Sequence, residues 1–227
     1  MSNSTLKEKT AKGLGWGFIK SISGTGLTAI VSIILANILA PEQFGLVGMV
    51  AIFVTLGNSL MDSGFSGALI RKSDVTDKDL STVFYTNLAL GAGIYAILYA
   101  ISPWVASFLG YEILTKLLRV LSLSVIIVSF TQVQKVNFIR KIDFKTQAII
   151  SLIAAVTSGV ASIWMALTRW GVWALVAQQL SKQAMVSILL WLFSNWKPSL
   201  VFSVRSFREM FNFGSKLLAS SLISTVW

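Results

Sequence analysis

The chain has 227 residues, 55% hydrophobic and only 12% charged, with a formal charge of +10. A soluble domain carries about 25% charged residues, so this composition excludes a water-facing surface and suits an apolar solvent. There is no cysteine and no histidine, which removes disulfides, thiol chemistry, the commonest zinc ligands and the usual general base of hydrolases; the basic residues fall between apolar runs rather than along one helix face, which argues against nucleic acid.

Met1 to Lys12 is polar with a basic excess, and the apolar stretch behind it reads as a first span rather than a cleaved signal peptide. Six long apolar segments follow, near Leu14–Leu39, Phe44–Ile70, Leu80–Leu109, Leu117–Gln134, Thr146–Leu167 and Val172–Phe193. Each is long enough to cross about 30 Å of hydrocarbon at about 1.5 Å per residue. Small residues are spread through them, as close helix contacts in lipid require. Pro41 and Pro198 mark helix boundaries, and Pro103 falls late in the third span, where it is a candidate kink.

Between the sixth span and Phe213, Val201 to Phe213 reads either as an amphipathic helix on the membrane face or as a plain connector. A seventh apolar run starts near Phe213 and reaches only Trp227, so the chain reads as a fragment or a truncated gene product. Gly17-Phe18-Ile19-Lys20-Ser21 is echoed there by Phe213-Gly214-Ser215-Lys216-Leu217, the pattern of a repeat transporter restarting. The expected organisation is an N-terminal tail over 1–13, a six-helix bundle over 14–194, an amphipathic linker over 195–212 and the start of a second bundle over 213–227.

Loop charge sets the expected orientation. The tail and the loops after spans two, four and six hold thirteen basic residues, against two in the alternate loops, Lys116 and Arg169. The positive-inside rule then places the N-terminus in the cytoplasm. Trp104, Trp170, Trp173, Trp191 and Trp196 fall at span ends, where aromatic belts sit; Trp16 and Trp164 are the minor candidates for stacking on a sugar.

Ionisable groups inside spans are costly and usually face a cavity or a partner. Lys20 and Asp62 fall at a shared depth on antiparallel spans, either as a polar cavity wall or as a structural ion pair. Lys182 is the strongest candidate: it lies near the midplane of span six, too deep to snorkel easily, and Gln179, Lys182 and Gln183 share a helix face. That set suits an anionic or heavily hydroxylated cargo, with a structurally bonded lysine as the alternative. Lys216 repeats the position of Lys20. Asn58 and Asn87 are either cavity residues or helix glue. Arg119 either snorkels or contributes to a site, and Gln132 and Gln134 are expected at the headgroups or the following loop.

The residues quoted so far resemble a known family. Leu39-Ala40-Pro41-Glu42-Gln43-Phe44-Gly45 is similar to the turn after the first span of Wzx-type polysaccharide exporters. Asp62-Ser63-Gly64-Phe65 with Ala68-Leu69-Ile70, Thr82-Val83-Phe84-Tyr85-Thr86-Asn87, Arg140-Lys141-Ile142-Asp143-Phe144-Lys145, Gly171-Val172-Trp173-Ala174-Leu175-Val176 and Phe213-Gly214 resemble that family's later landmarks, in order. The nearest branch exports colanic acid, teichuronic acid and related polymers.

The resemblance implies an all-α membrane protein, one six-helix lobe of a two-lobed, MATE-like transporter of the multidrug/oligosaccharidyl-lipid/polysaccharide superfamily, plus the start of a seventh helix. It implies export of an undecaprenyl-diphosphate-linked oligosaccharide across the bacterial inner membrane for surface polysaccharide (exopolysaccharide or lipopolysaccharide) synthesis. The implied partners are that lipid-linked oligosaccharide, membrane lipids and assembly proteins such as a polysaccharide polymerase, with no cofactor; the coupling ion, H+ or Na+, stays open. On this reading Lys20, Lys182 and Lys216 hold the diphosphate or acidic sugars, Asp62 balances Lys20 in the empty state, and Gln179, Asn58 and Asn87 complete the substrate site. The rivals are a cation-coupled drug antiporter of the same superfamily, for which Asp62 is the single clear carboxylate, and a non-transporting half or scaffold. A membrane enzyme is disfavoured, because the outer loops are too small to carry catalytic groups.

Overall fold

The computed structural model describes residues 22–63, 65–72 and 74–212. Among them all regular structure is helical. A π-helical turn, Ile22–Gly26, leads into α1, Leu27–Ile38; α2 is Pro41–Ser63, α3 Phe65–Arg71, α4 Asp77–Leu109, α5 Ile113–Leu121, α6 Leu123–Arg140, α7 Phe144–Leu167 and α8 Trp173–Phe193. A last helix, α9, covers 204–212.

Among the described residues four stretches are long and apolar enough to cross a membrane: Pro41–Arg71, Asp77–Leu109, Ile113–Arg140 and Phe144–Leu167. Gly24–Ile38 is a shorter apolar helix. The α8 helix has 21 residues but is not among the four, because Gln178, Gln179, Lys182 and Gln183 dilute its midsection. Along the spans, Ile33, Ile52, Ile97, Val160 and Ile188 are more than half exposed, a surface that lipid covers and water would not.

One expected span is interrupted among the described residues: the fourth breaks at Ser122 into α5 and α6. The third runs through Pro103 as one helix.

The chain divides into two compact units: Met1–Gly45 with Asn137–Phe193, and Leu46–Val136 with Ser194–Trp227. The first holds α1, α7 and α8. A stripe of small residues on α7, including Ala155, Ser158, Gly159 and Ser162, is buried, as close helix packing without large side chains requires. A Cβ on Gly159 would sit 2.7 Å from Val31 Cγ2, and one on Gly24 would sit 3.2 Å from Ser151 Cβ. The two pairs rise together, so α1 and α7 run parallel. Phe138, Ile150 and Leu190 form a cluster with Val186 and Leu189, which joins the start of α7 to the end of α8 and makes those two antiparallel. Asp143 caps α7 by accepting from the Thr146 amide at 3.1 Å and its hydroxyl at 2.8 Å.

The second unit packs α2, α4 and α6 through glycine contacts. Gly57 faces Ile94, Leu98 and Val125, and a Cβ on Gly91 would meet Ser129 Cβ at 2.7 Å. A Thr76–Asp79 capping box starts α4, and Gly110, with φ 78°, ends it in the left-handed region that favours glycine. Leu114, Leu117, Leu118 and Leu121 line the buried face of α5.

The segment 194–212 is fastened to α3 and α4. Ser199 and Ser203 donate backbone N–H groups to the Ser81 and Thr82 hydroxyls at 3.1 and 3.0 Å. Phe65, Phe207 and Phe211 form a three-ring cluster, with Phe207 stacked on each of the other two at 5.8 Å and Phe65 and Phe211 6.3 Å apart. Trp196 meets Phe84 edge-on. The expected connector is therefore a docked helix. Lys72 pairs with Asp79 at 3.1 Å and with Glu209 at 3.3 Å. Burial works against the charge on Lys72, but the Asp79 and Glu209 carboxylates win and hold it above its ordinary value of 10.5.

These contacts differ in worth. Asp79 is 4% exposed and Glu209 58% exposed, so Asp79→Ala is expected to cost about 2–3 kcal/mol and Glu209→Gln less than about 1 kcal/mol in detergent unfolding. A raised lysine stabilises fully below its unfolded value, so this contribution is present up to 10.5 and is lost as pH climbs beyond it. Equal losses for the two substitutions would contradict the assignment.

Candidate functional site

The geometry at Lys182 starts from helix α8. Its 21 residues place Lys182 tenth, near the midpoint, about 14 Å from one end and about 17 Å from the other at about 1.5 Å per residue. Lys182 and Gln179 are both half-buried. The Lys182 ammonium donates to Thr28 Oγ1 at 2.7 Å. Thr28 in turn donates its hydroxyl to the Gly24 carbonyl at 2.6 Å. Gly24 lies inside the π turn Ile22–Gly26, and such widened turns recur at functional sites.

A relay therefore runs from the α8 cation through a hydroxyl to a backbone carbonyl of the first helix. Among the described residues no carboxylate pairs with Lys182. An ammonium has three N–H donors, and Thr28 takes one of them. In its protonated form the group has further donors to offer, a point charge of the kind that holds phosphate.

The other expected site residues fall elsewhere. Lys20 and Lys216 lie outside the described residues, and so does the side chain of Asp62, whose backbone belongs to α2. Asn58 and Asn87 lie in the second unit. Asn87 is 1% exposed, and among the described residues neither of its amide atoms has a hydrogen-bond partner; the Asn58 Oδ1 also has none. Among the described residues, then, neither shows the interhelical hydrogen bond that helix glue would make. Gln132 and Gln134, expected at the headgroups or the following loop, are buried, at 2% and 0% exposure.

Sequence reasoning missed Thr28 and Gly24. A threonine in an apolar run bonds its own helix by default, as most hydroxyls here do, and nothing local announces a partner 154 residues away.

Comparison with known proteins adds to this geometry. The family described as "Polysaccharide biosynthesis protein" matches residues 34–227. The chain belongs to this family. Among polysaccharide biosynthesis relatives, it is 28% identical to the teichuronic acid biosynthesis protein TuaB of Bacillus subtilis, over 97% of the chain and 46% of the relative. It is 25% identical to the lipopolysaccharide biosynthesis protein WzxC of Escherichia coli, over 97% of the chain and 45% of the relative. It is 27% identical to the succinoglycan biosynthesis transport protein ExoT of Rhizobium meliloti, over 98% and 45%. The chain thus spans about half the length of the curated relatives it matches. No solved structure matches it. The expected kinship with Wzx-type exporters is borne out, and the apolar helices make this a multi-pass membrane protein.

The relay has a direct test. Thr28→Val removes the acceptor of Lys182 and the donor of Gly24 together, with an expected loss of about 2–3 kcal/mol. Thr28→Ser keeps both bonds and should unfold close to wild type. Equal thermal unfolding of the two variants in detergent would show that the relay carries no weight.

Proposed function

We propose that this chain is the N-terminal six-helix lobe of a two-lobed exporter that carries an undecaprenyl-diphosphate-linked oligosaccharide from the cytoplasmic to the outer leaflet of the bacterial inner membrane. The linker 195–212 then leads into the second lobe, and the N-terminus lies in the cytoplasm. The headgroup of such a cargo carries a diphosphate and many hydroxyls, which hydrocarbon excludes. The protein has to offer charge and hydrogen bonds at mid-depth while its outer surface stays apolar.

Lys182 is the observation that carries the reading. It stands near the midpoint of α8, bonded through one N–H to Thr28, with Gln179 one turn away and no carboxylate partner among the described residues. In a polysaccharide biosynthesis protein, a mid-span cation of this kind is matched to the diphosphate or to acidic sugars. Lys20, Lys216, Asp62, Gln179, Asn58 and Asn87 complete the proposed cargo site, with Asp62 as counter-charge to Lys20 when no cargo is bound. The function is transport rather than catalysis. Assembly proteins such as a polymerase are its proposed partners.

The test uses a strain whose surface polysaccharide depends on the full-length gene carrying this segment. Lys182→Gln keeps a polar side chain, one bond shorter, but removes the charge. Polymer output should fall about tenfold or more, the worth of one charge-assisted hydrogen bond, with lipid-linked oligosaccharide accumulating and the membrane level of the protein unchanged. Normal output from that variant would overturn the role of Lys182.

A further inference from the structure

The geometry points to a second anion site, at Arg119, that takes the phosphate of a lipid headgroup at the α4–α5 end of the second unit. It starts from Pro103. A proline inside a helix has no N–H for the carbonyl four residues back, here that of Tyr99. The Ser102 hydroxyl supplies the missing donor, bonding the Tyr99 carbonyl at 2.7 Å. Ser102 is fully buried, so this hydroxyl is fixed in place. Its oxygen also accepts from Arg119 Nε at 2.9 Å. The Arg119 guanidinium then lies over the Tyr99 ring, 4.1 Å from its centroid, in cation–π contact.

Both fixtures use the back of the guanidinium. Nε is bonded and one π face is covered, while the two Nη groups, the edge that matches phosphate oxygens in a bidentate pair, have no partner among the described residues. No carboxylate pairs with Arg119 among those residues. A simple brace between two helices would not call for a fork held this way, with its charge uncompensated in an apolar span.

Depth identifies the ligand. Arg119 is six residues past the start of α5, and Ser102 seven residues before the end of α4, which sets the group about 10 Å below the intervening turn. Around that end Trp104, Phe108 and Tyr111 are exposed by 74%, 90% and 50%, the aromatic belt that marks the headgroup level. A cation fixed at that level meets lipid phosphates. Two sources carry that chemistry: an anionic phospholipid, and a polyprenyl diphosphate; the second source rests on the export reading above.

The experiment is lipid retention by the intact, purified protein, read by native mass spectrometry. The probes are phosphatidylglycerol and undecaprenyl diphosphate, with diacylglycerol as the phosphate-free control. Wild type is expected to retain a phosphate lipid about tenfold more than Arg119→Gln does, and diacylglycerol equally weakly in both. Ser102→Ala, which frees Nε, should retain an intermediate amount. If undecaprenyl diphosphate displaces phosphatidylglycerol at equal concentration, the carrier lipid is the source; if it does not, bulk phospholipid is. Equal retention by wild type and Arg119→Gln overturns the site. Should Arg119→Gln fail to fold, Arg119→Lys decides, because a lysine keeps the charge without the fork: retention equal to wild type would then overturn the proposal.

Discussion

A lysine placed at the centre of an apolar helix in a membrane protein needs oxygen for its N–H groups and a reason for its charge. Lys182 finds one oxygen on Thr28, and much of the first unit follows from bringing that oxygen into reach. The first helix lies close against α7 because Gly24 and Gly159 leave room for Ser151 and Val31. The π turn Ile22–Gly26 precedes the α-helix there, and the Thr28 hydroxyl bonds back to Gly24 within it. Small residues, a widened turn and a polar helix centre are thus parts of one arrangement.

The second unit meets the same apolar solvent with different means. Its interior holds Asn87, Gln134 and Ser124 with polar atoms that have no partner among the described residues, at a cost that an apolar core would avoid. At one end Arg119 is steadied by a serine and a tyrosine ring. At the other, Lys72, Asp79, Glu209 and a stack of phenylalanines hold helix α9. Residues that resemble family landmarks, Phe65 and Thr82 among them, serve here as the seat of that helix.

Much of this was legible in the sequence. Apolar run lengths located the helices to within a few residues, because a span has to cover a fixed hydrocarbon thickness. The midpoint position of Lys182 and its face shared with Gln179 followed from helical spacing alone. The break at Ser122 was hidden, since hydropathy averages over a window and does not register a single turn residue. Burial of Gln132 and Gln134 was hidden as well: a glutamine near a span end looks the same whether neighbours or headgroups cover it. Pairings such as Lys182 with Thr28 and Arg119 with Ser102 are tertiary facts, although Pro103 did flag an orphan carbonyl at Tyr99 that some donor had to meet.

The central claim is that the Lys182 face of α8 meets water and cargo rather than lipid. The chain has no cysteine, so a single introduced thiol reports its own surroundings. Gln179→Cys in the full-length protein, treated in intact membranes with a charged, membrane-impermeant maleimide, measures this directly, with Val160→Cys, 66% exposed on an apolar helix face, as the lipid-facing reference. The account predicts that Gln179→Cys is modified, that Val160→Cys is not, and that lipid-linked oligosaccharide slows the reaction at Gln179→Cys. A thiol at Gln179 as inert as the one at Val160, from either side of the membrane, would contradict it.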